Sequence, residues 1–260
     1  MLQVIRCYAR NTTILACLLL WAQPVWAAFG TPTITTTCGS GCDEADNFDD
    51  NAMASTMSAV SGDLLVAVFA HGRATPRTVT SVVCGANTLA EAHRTTGASF
   101  GGATDIYFVR ATASCSSMVA TLSGSGGGAG NDFLGVLVVT GSVDPAAETG
   151  TSAGEGTTGQ TSHCSACTIT PGSTEVFFVG LSNGTPTTGN YDAHSDFTED
   201  TPLTYSVIGY RVQSATTART FSVTTADMEG ANTAFAAFEG ASGGAANPLD
   251  GLIIGGGLFK

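Results

Sequence analysis

The densest polar run in the sequence is Asp43-Glu44-Ala45-Asp46-Asn47-Phe48-Asp49-Asp50-Asn51. Calcium takes about six to eight oxygen ligands from carboxylates, carbonyls and water, and such a run supplies several of them. It lacks the ligand order of an EF-hand, its central Gly and its closing Glu. A solvated acidic loop is the plain reading, and calcium held by Asp43, Asp46 and Asp49 is the sharper one. A second polar run, Gly189-Asn190-Tyr191-Asp192-Ala193-His194, is the best candidate for a ligand loop. Tyr191 offers an aromatic face to the C–H side of a sugar, with Asp192 and His194 as polar neighbours. The plain alternative is a tyrosine covering the edge of a core.

Cys164-Ser165-Ala166-Cys167, with His163 beside it, has the spacing of a redox or zinc motif. A thioredoxin-like role needs that motif at a helix start inside a βαβ unit. Here Gly, Ser and Thr surround it and Thr168-Ile169-Thr170 follows, which reads as loop and strand. His71, His93, His163 and His194 fall in separate segments, with no His-Glu-x-x-His and no Gly-x-Ser-x-Gly. Asp63, Asp105 and Glu175 flank strands. Two of them facing across a groove would suit glycoside hydrolysis, but a carboxylate at a strand end is ordinary. No catalytic motif emerges, so the expectation is a protein that binds rather than turns over.

The first residues read as an export signal. Arg6 and Arg10 precede the apolar run Ile14 to Trp21, and Val25-Trp26-Ala27 fits signal peptidase, which places the cut after Ala27. The run is too short for a bilayer span, which needs about 20 residues. The remaining chain is expected outside the cytoplasm, secreted or periplasmic. Six cysteines stay with it: Cys38, Cys42, Cys84, Cys115, Cys164 and Cys167. An even count in an exported chain reads as disulfides, and spacing suggests Cys38–Cys42, Cys84–Cys115 and Cys164–Cys167.

Nine basic residues stand against 21 acidic ones, and two of the nine leave with the signal. Without a basic stripe, nucleic acid is not expected as a partner, and anionic membrane surfaces are disfavoured for the same reason. Both tryptophans, Trp21 and Trp26, also leave with the signal, so sugar stacking falls to tyrosines.

The elements that must position these groups are strands. Leu64 to Ala70 and Phe133 to Thr140 are continuous apolar runs, and Arg219 to Thr225 alternates with a period of two. Asp105 to Ala111, Met118 to Leu122, Val176 to Leu181, Tyr205 to Val212 and Ala231 to Phe238 also read as strands, with Gly, Asn, Pro and Ser between them. A shift of 101 residues aligns Ile106 to Arg110 with Val207 to Arg211, and Phe133 with Ala234. A shift of 112 aligns Asp63 to Val66 with Glu175 to Phe178. Arg110 and Arg211 then match, as outward strand residues paired with carboxylates. The pattern predicts an all-β, antiparallel, two-sheet jelly-roll or Greek-key sandwich made of two similar halves in one domain. The expected organisation is signal 1–27, an acidic disulfide-containing segment 28–60, the sandwich 61–240, and a tail 241–260.

Four stretches carry a resemblance: SGDLLVAVFAHG (Ser61 to Gly72), TDIYFVRATASCSSMVATLSG (Thr104 to Gly124), FLGVLVVTGSVDP (Phe133 to Pro145) and TPGSTEVFFVGLSNG (Thr170 to Gly184). They resemble secreted bacterial and phage-associated jelly-roll sandwiches of the lectin-like, concanavalin-like kind. Such domains often carry a "GDLLVA" strand and a "Y-x-G-V-D" strand end. Val139 to Asp144 departs from the latter by a Thr and an inserted Ser, and the aromatic "GW" segment is missing around Asn87 to His93. The resemblance implies a lectin-like or accessory module and transfers no catalytic residue. A glycan or other surface ligand is the expected partner, with a carbohydrate-active hydrolase or lyase as the alternative. A third reading is an assembly subunit. The tail contains Leu252-Ile253-Ile254-Gly255-Gly256-Gly257-Leu258-Phe259, about half a membrane span; its first reading is a partly ordered tail, and its others are a final strand or a strand offered to a neighbour's sheet edge.

Overall fold

The computed structural model describes residues 29–38, 52–71, 78–96, 103–123, 133–141, 143–149, 153–155, 160–164, 167–172, 174–188, 192–193, 196–203 and 206–240. Among them are strands and turns and no helix. Among the described residues no helix is therefore long and apolar enough to cross a membrane.

The two continuous apolar runs, β3 (Leu64–His71) and β9 (Phe133–Val139), are buried at every residue. They pair antiparallel from Leu64↔Val139 to Ala70↔Phe133. Strands with apolar side chains on both faces need cover on both. Sheet I grows from this pair: β1 (Thr33–Cys38) joins β9, while β7 (Ala103–Arg110) and then β6 (Ala90–Thr96) extend from β3. Its order is β1-β9-β3-β7-β6.

Sheet II covers one face of sheet I. It runs β2 (Ala52–Ala59), β8 (Cys115–Ser123), β4 (Thr78–Cys84), β5 (Asn87–Thr88) in space. Its strands alternate, as a sheet with one solvated face must. Met118, Ala120 and Leu122 of β8 pack with Leu65, Ala67 and Phe69 of β3 and Leu134, Val136 and Val138 of β9. The Cys84–Cys115 disulfide ties the end of β4 to the start of β8. Beside it Asn87 accepts from the Thr112 amide at 2.8 Å and donates to the Ala113 carbonyl at 2.9 Å, holding the turn before β8.

Sheet III covers the other face. Its spine is β10 (Val143–Thr149), β19 (Val223–Gly240), β14 (Glu175–Thr188), β17 (Ser206–Ser214) and β16 (Thr198–Leu203), in that spatial order. The short strands β11 (Ala153–Glu155), β12 (Gln160–His163) and β15 (Asp192–Ala193) also pair with β19. Leu64, Val66, Val68 and Ile106 of sheet I meet Phe177, Val179, Ile208 and Phe238 of sheet III in the central core.

Sheet III in turn is covered by β13 (Thr168–Ile169) and β18 (Arg219–Thr220), paired as a two-stranded ladder. Here Phe221, fully buried, lies over Gly180 and Gly209, where any Cβ would collide with its ring. Its ring stacks with Phe235 and meets Phe197 edge-on, at centroid separations of 5.7 and 5.3 Å. Cys164 and Cys167 are bonded to each other and buried in the same cluster.

Where the strand pattern predicts two sheets, the described residues form three and a ladder. The reason lies in β3, β9 and β14, whose apolar side chains point both ways and demand a layer on each side. Of the segment 28–60, β1 sits in sheet I and β2 in sheet II. Cys38 pairs through its backbone with Phe133, and Cys42 lies outside the described residues.

Candidate functional site

At one end of sheet I, alternating positions on three neighbouring strands bring polar groups to the face that sheet II covers. His71 follows Phe69 by two residues, and Asp105 precedes Tyr107 by two. The period of two keeps each pair on one face. Register sets Asp105 opposite Phe69 on one side and Arg94 on the other. The result is a row that runs from buried His71 and Asp105 to half-buried Arg94: His71 Nε2 lies 3.9 Å from Asp105 Oδ2, and Arg94 Nε lies 3.5 Å from Asp105 Oδ1. His71 and Asp105 are both fully buried, and neither Asp105 oxygen accepts a hydrogen bond among the described residues. Phe69 packs edge-on against the His71 ring, centroids 4.2 Å apart.

Burial pushes the Asp105 carboxyl up to about 7; Arg94 opposes the shift and the charge of Glu91 adds to it. The Tyr107 phenol is also pushed up, by burial first and then by the charges of Asp105 and Glu91. Its hydroxyl donates to Glu91 Oε2 at 3.3 Å. His93 is held below its ordinary value by burial, with Glu91 acting against that shift.

A second polar layer crosses from sheet I to sheet III at the same end. Asn183 donates to the His71 carbonyl at 3.2 Å and accepts from Ser206 at 2.7 Å. The Thr95 hydroxyl donates to the Thr233 carbonyl at 3.1 Å. These bonds hold the two inner sheets in register where apolar packing stops.

The carboxylates considered for hydrolysis do not gather. Asp63 accepts from the Val60 amide at 2.9 Å in the turn before β3. It stands six residues from Phe69 along the strand, which is about 20 Å from the level of Asp105. Glu175 accepts from Ser214 at 3.3 Å, across the β14–β17 pairing. Arg211 approaches Asp196, and Arg219 bonds the same carboxylate at 2.8 Å. Arg110 is exposed.

Asp43, Asp46, Asp49, Tyr191 and His194 lie outside the described residues, and Asp192 is described only through its backbone pairing with Thr224. Among the described residues no group of three His, Cys, Asp or Glu could hold a metal. The strands that lead into these segments are informative, however. β1 ends at Cys38 opposite Phe133, and Phe133 also faces Ala70, the neighbour of His71. β14 passes the level of His71 at Asn183 and continues to Thr188. Sequence reasoning named His71 and Asp105 separately and missed Arg94 and Glu91. The two-residue spacing from Phe69 and Tyr107 was visible, but the pairing of β6 with β7 was not.

Comparison with models of protein families, with curated proteins and with solved structures finds no match to this chain.

Proposed function

We propose that the chain is an exported, non-catalytic binding module for a glycan or similar surface ligand, built from two jelly-roll-like halves. Strand order supports the halves. With the edge strand β6 set aside, the first half runs first-eighth-third-sixth in sheet I and second-seventh-fourth-fifth in sheet II, the double Greek-key order. The spine of sheet III repeats the order of sheet I: by chain position both read first, fifth, second, fourth, third. The ladder β13–β18 stands where β2–β8 stands in the first half.

The observation that carries the binding reading is the convergence at one end. The strand leading to Asp43, Asp46 and Asp49, and the strand leading to Tyr191, Asp192 and His194, both run to the end marked by His71 and Asp105. Loops on a rigid sandwich are where binding residues collect. Calcium on the acidic segment is part of this proposal. Against a hydrolase stands the full burial of Asp105, which no substrate could touch. A glycan-binding screen of the purified protein, with calcium and with chelator, tests the reading. Binding without product release supports it, calcium dependence assigns the acidic segment, and release of shortened glycan overturns it.

A further inference from the structure

A buried carboxyl is costly to ionise, and the cheapest path by which water can reach it decides which part of a fold opens with pH. Asp105 is fully buried on the face of sheet I that also carries Phe69 and Tyr107. Among the described residues the titratable groups facing it are His71 from β3, Glu91 and Arg94 from β6, and Tyr107 from β7. The strands of sheet II over this face carry no Asp, Glu, Lys, Arg or His. Towards the middle of the sheet, β3 stands between β7 and β9, so an opening there breaks two ladders. Lifting sheet II would break the packing of Phe69, Tyr107 and Leu134 against Met118 and Leu122. On the remaining side stands β6. It ends sheet I, pairs with β7 alone among the described residues, and loses register between Glu91 and His93. Ala90 and Glu91 are exposed and Ala92, His93 and Arg94 half-buried, whereas Ala103 to Tyr107 of β7 are all buried. A bulged edge strand that buries little of itself is the least costly of the three to release.

We propose that β6 is an acid-closed latch: it stays shut over Asp105 while that carboxyl holds its proton, and opens from β7 more readily once the proton leaves. Closed, burial pushes the Asp105 carboxyl up to about 7; released, with water at the carboxylate, it returns towards the ordinary 3.8. Closing therefore favours the protonated form, and the latch loosens as pH rises from about 4 to about 7. Arg94, 3.5 Å away on the latch itself, favours the ionised form and so moderates the effect. His93 pairs with Ile106, whose side chain points to the central core, so it lies on the other face of β6. Its imidazole is held low by burial, which makes it oppose Asp105 at acid pH.

Amide exchange of the purified protein, corrected for the intrinsic rate at each pH, tests this in residues 90–96, with residues 133–139 of β9 reporting unfolding of the whole molecule. Residues 90–96 are expected to exchange faster than β9 at every pH. The ratio of parent to Asp105→Asn protection in 90–96 should fall at least about tenfold from about pH 5 to about pH 7.5. Taking that ratio cancels the contribution of His93. Arg94→Gln removes the cation that favours the carboxylate, so its protection in 90–96 should fall with pH more steeply than the parent's. Equal protection in 90–96 and β9 overturns the proposal, because opening is then global. A ratio that stays constant with pH overturns it as well, and so does an Arg94→Gln slope no steeper than the parent's.

Discussion

The first half of the molecule covers its inner sheet with four strands and a long-range disulfide; the second covers its own with a two-stranded ladder, a phenylalanine cluster and a short-range disulfide. The spine strands follow one order in both sheets, yet the outer layers differ in kind. A full sheet hides apolar faces by repetition, with Leu65, Ala67 and Phe69 each met by side chains from alternating strands. Where only β13 and β18 remain, a few large rings must do the same, and Phe221 reaches Gly180, Gly209, Phe197 and Phe235 at once. Thin cover therefore concentrates stability in fewer residues.

The sharpest way to break this comparison is Phe221→Ala. It should cost about 3–5 kcal/mol in urea unfolding, as for a buried aromatic ring whose site cannot collapse. Met118→Ala, at the matching depth of the first half, should cost less because its neighbours on four strands share the load. Equal losses would remove the distinction.

Asp105 should make stability depend on pH. Its folded value, about 7, lies above the ordinary 3.8, so the native state holds a proton that the unfolded chain gives up. Stability from this group is greatest below the unfolded value and declines as pH rises from about 4 to about 7, by no more than about 4 kcal/mol. Asp105→Asn should flatten that stretch of the curve of melting temperature against pH. A parent curve that rises between pH 5 and 7, or an unchanged slope in the variant, would count against the buried carboxyl.

The disulfides sharpen the contrast next. The Cys84–Cys115 bridge closes a sequence separation of 31, and Cys164–Cys167 one of 3. Loop-closure entropy then predicts a loss of about 3.5 kcal/mol for the Cys84→Ser, Cys115→Ser pair and about 2 kcal/mol for the Cys164→Ser, Cys167→Ser pair, read by chemical denaturation. The smallest effect belongs to Arg219→Ala. It loses an ion pair to the well-exposed Asp196, which contributes less than about 1 kcal/mol, and a hydrogen bond to Gln213 at 2.7 Å, which contributes about 1 kcal/mol.

Much of this protein was legible in one dimension. A period of two in Arg219 to Thr225, the apolar runs at Leu64 and Phe133, and turn residues between them require an all-β chain, because local pattern dictates local structure. Even the spacing of Cys84 and Cys115 pointed to their bridge. Phe133 and Ala234, which a shift of 101 residues aligns, both point into the central core. For β7 and β17 the same shift sets inward Ile106 against Val207, which points outward. A slip of one residue exchanges the faces of a strand, and only hydrogen-bonded register reveals it. Likewise a continuous apolar run announces burial on both sides without saying what lies there. The third sheet and the row of His71, Asp105 and Arg94 follow from pairings between distant segments. Tertiary structure decided those, since residues far apart in sequence acquire a shared environment only when the sheets close around them.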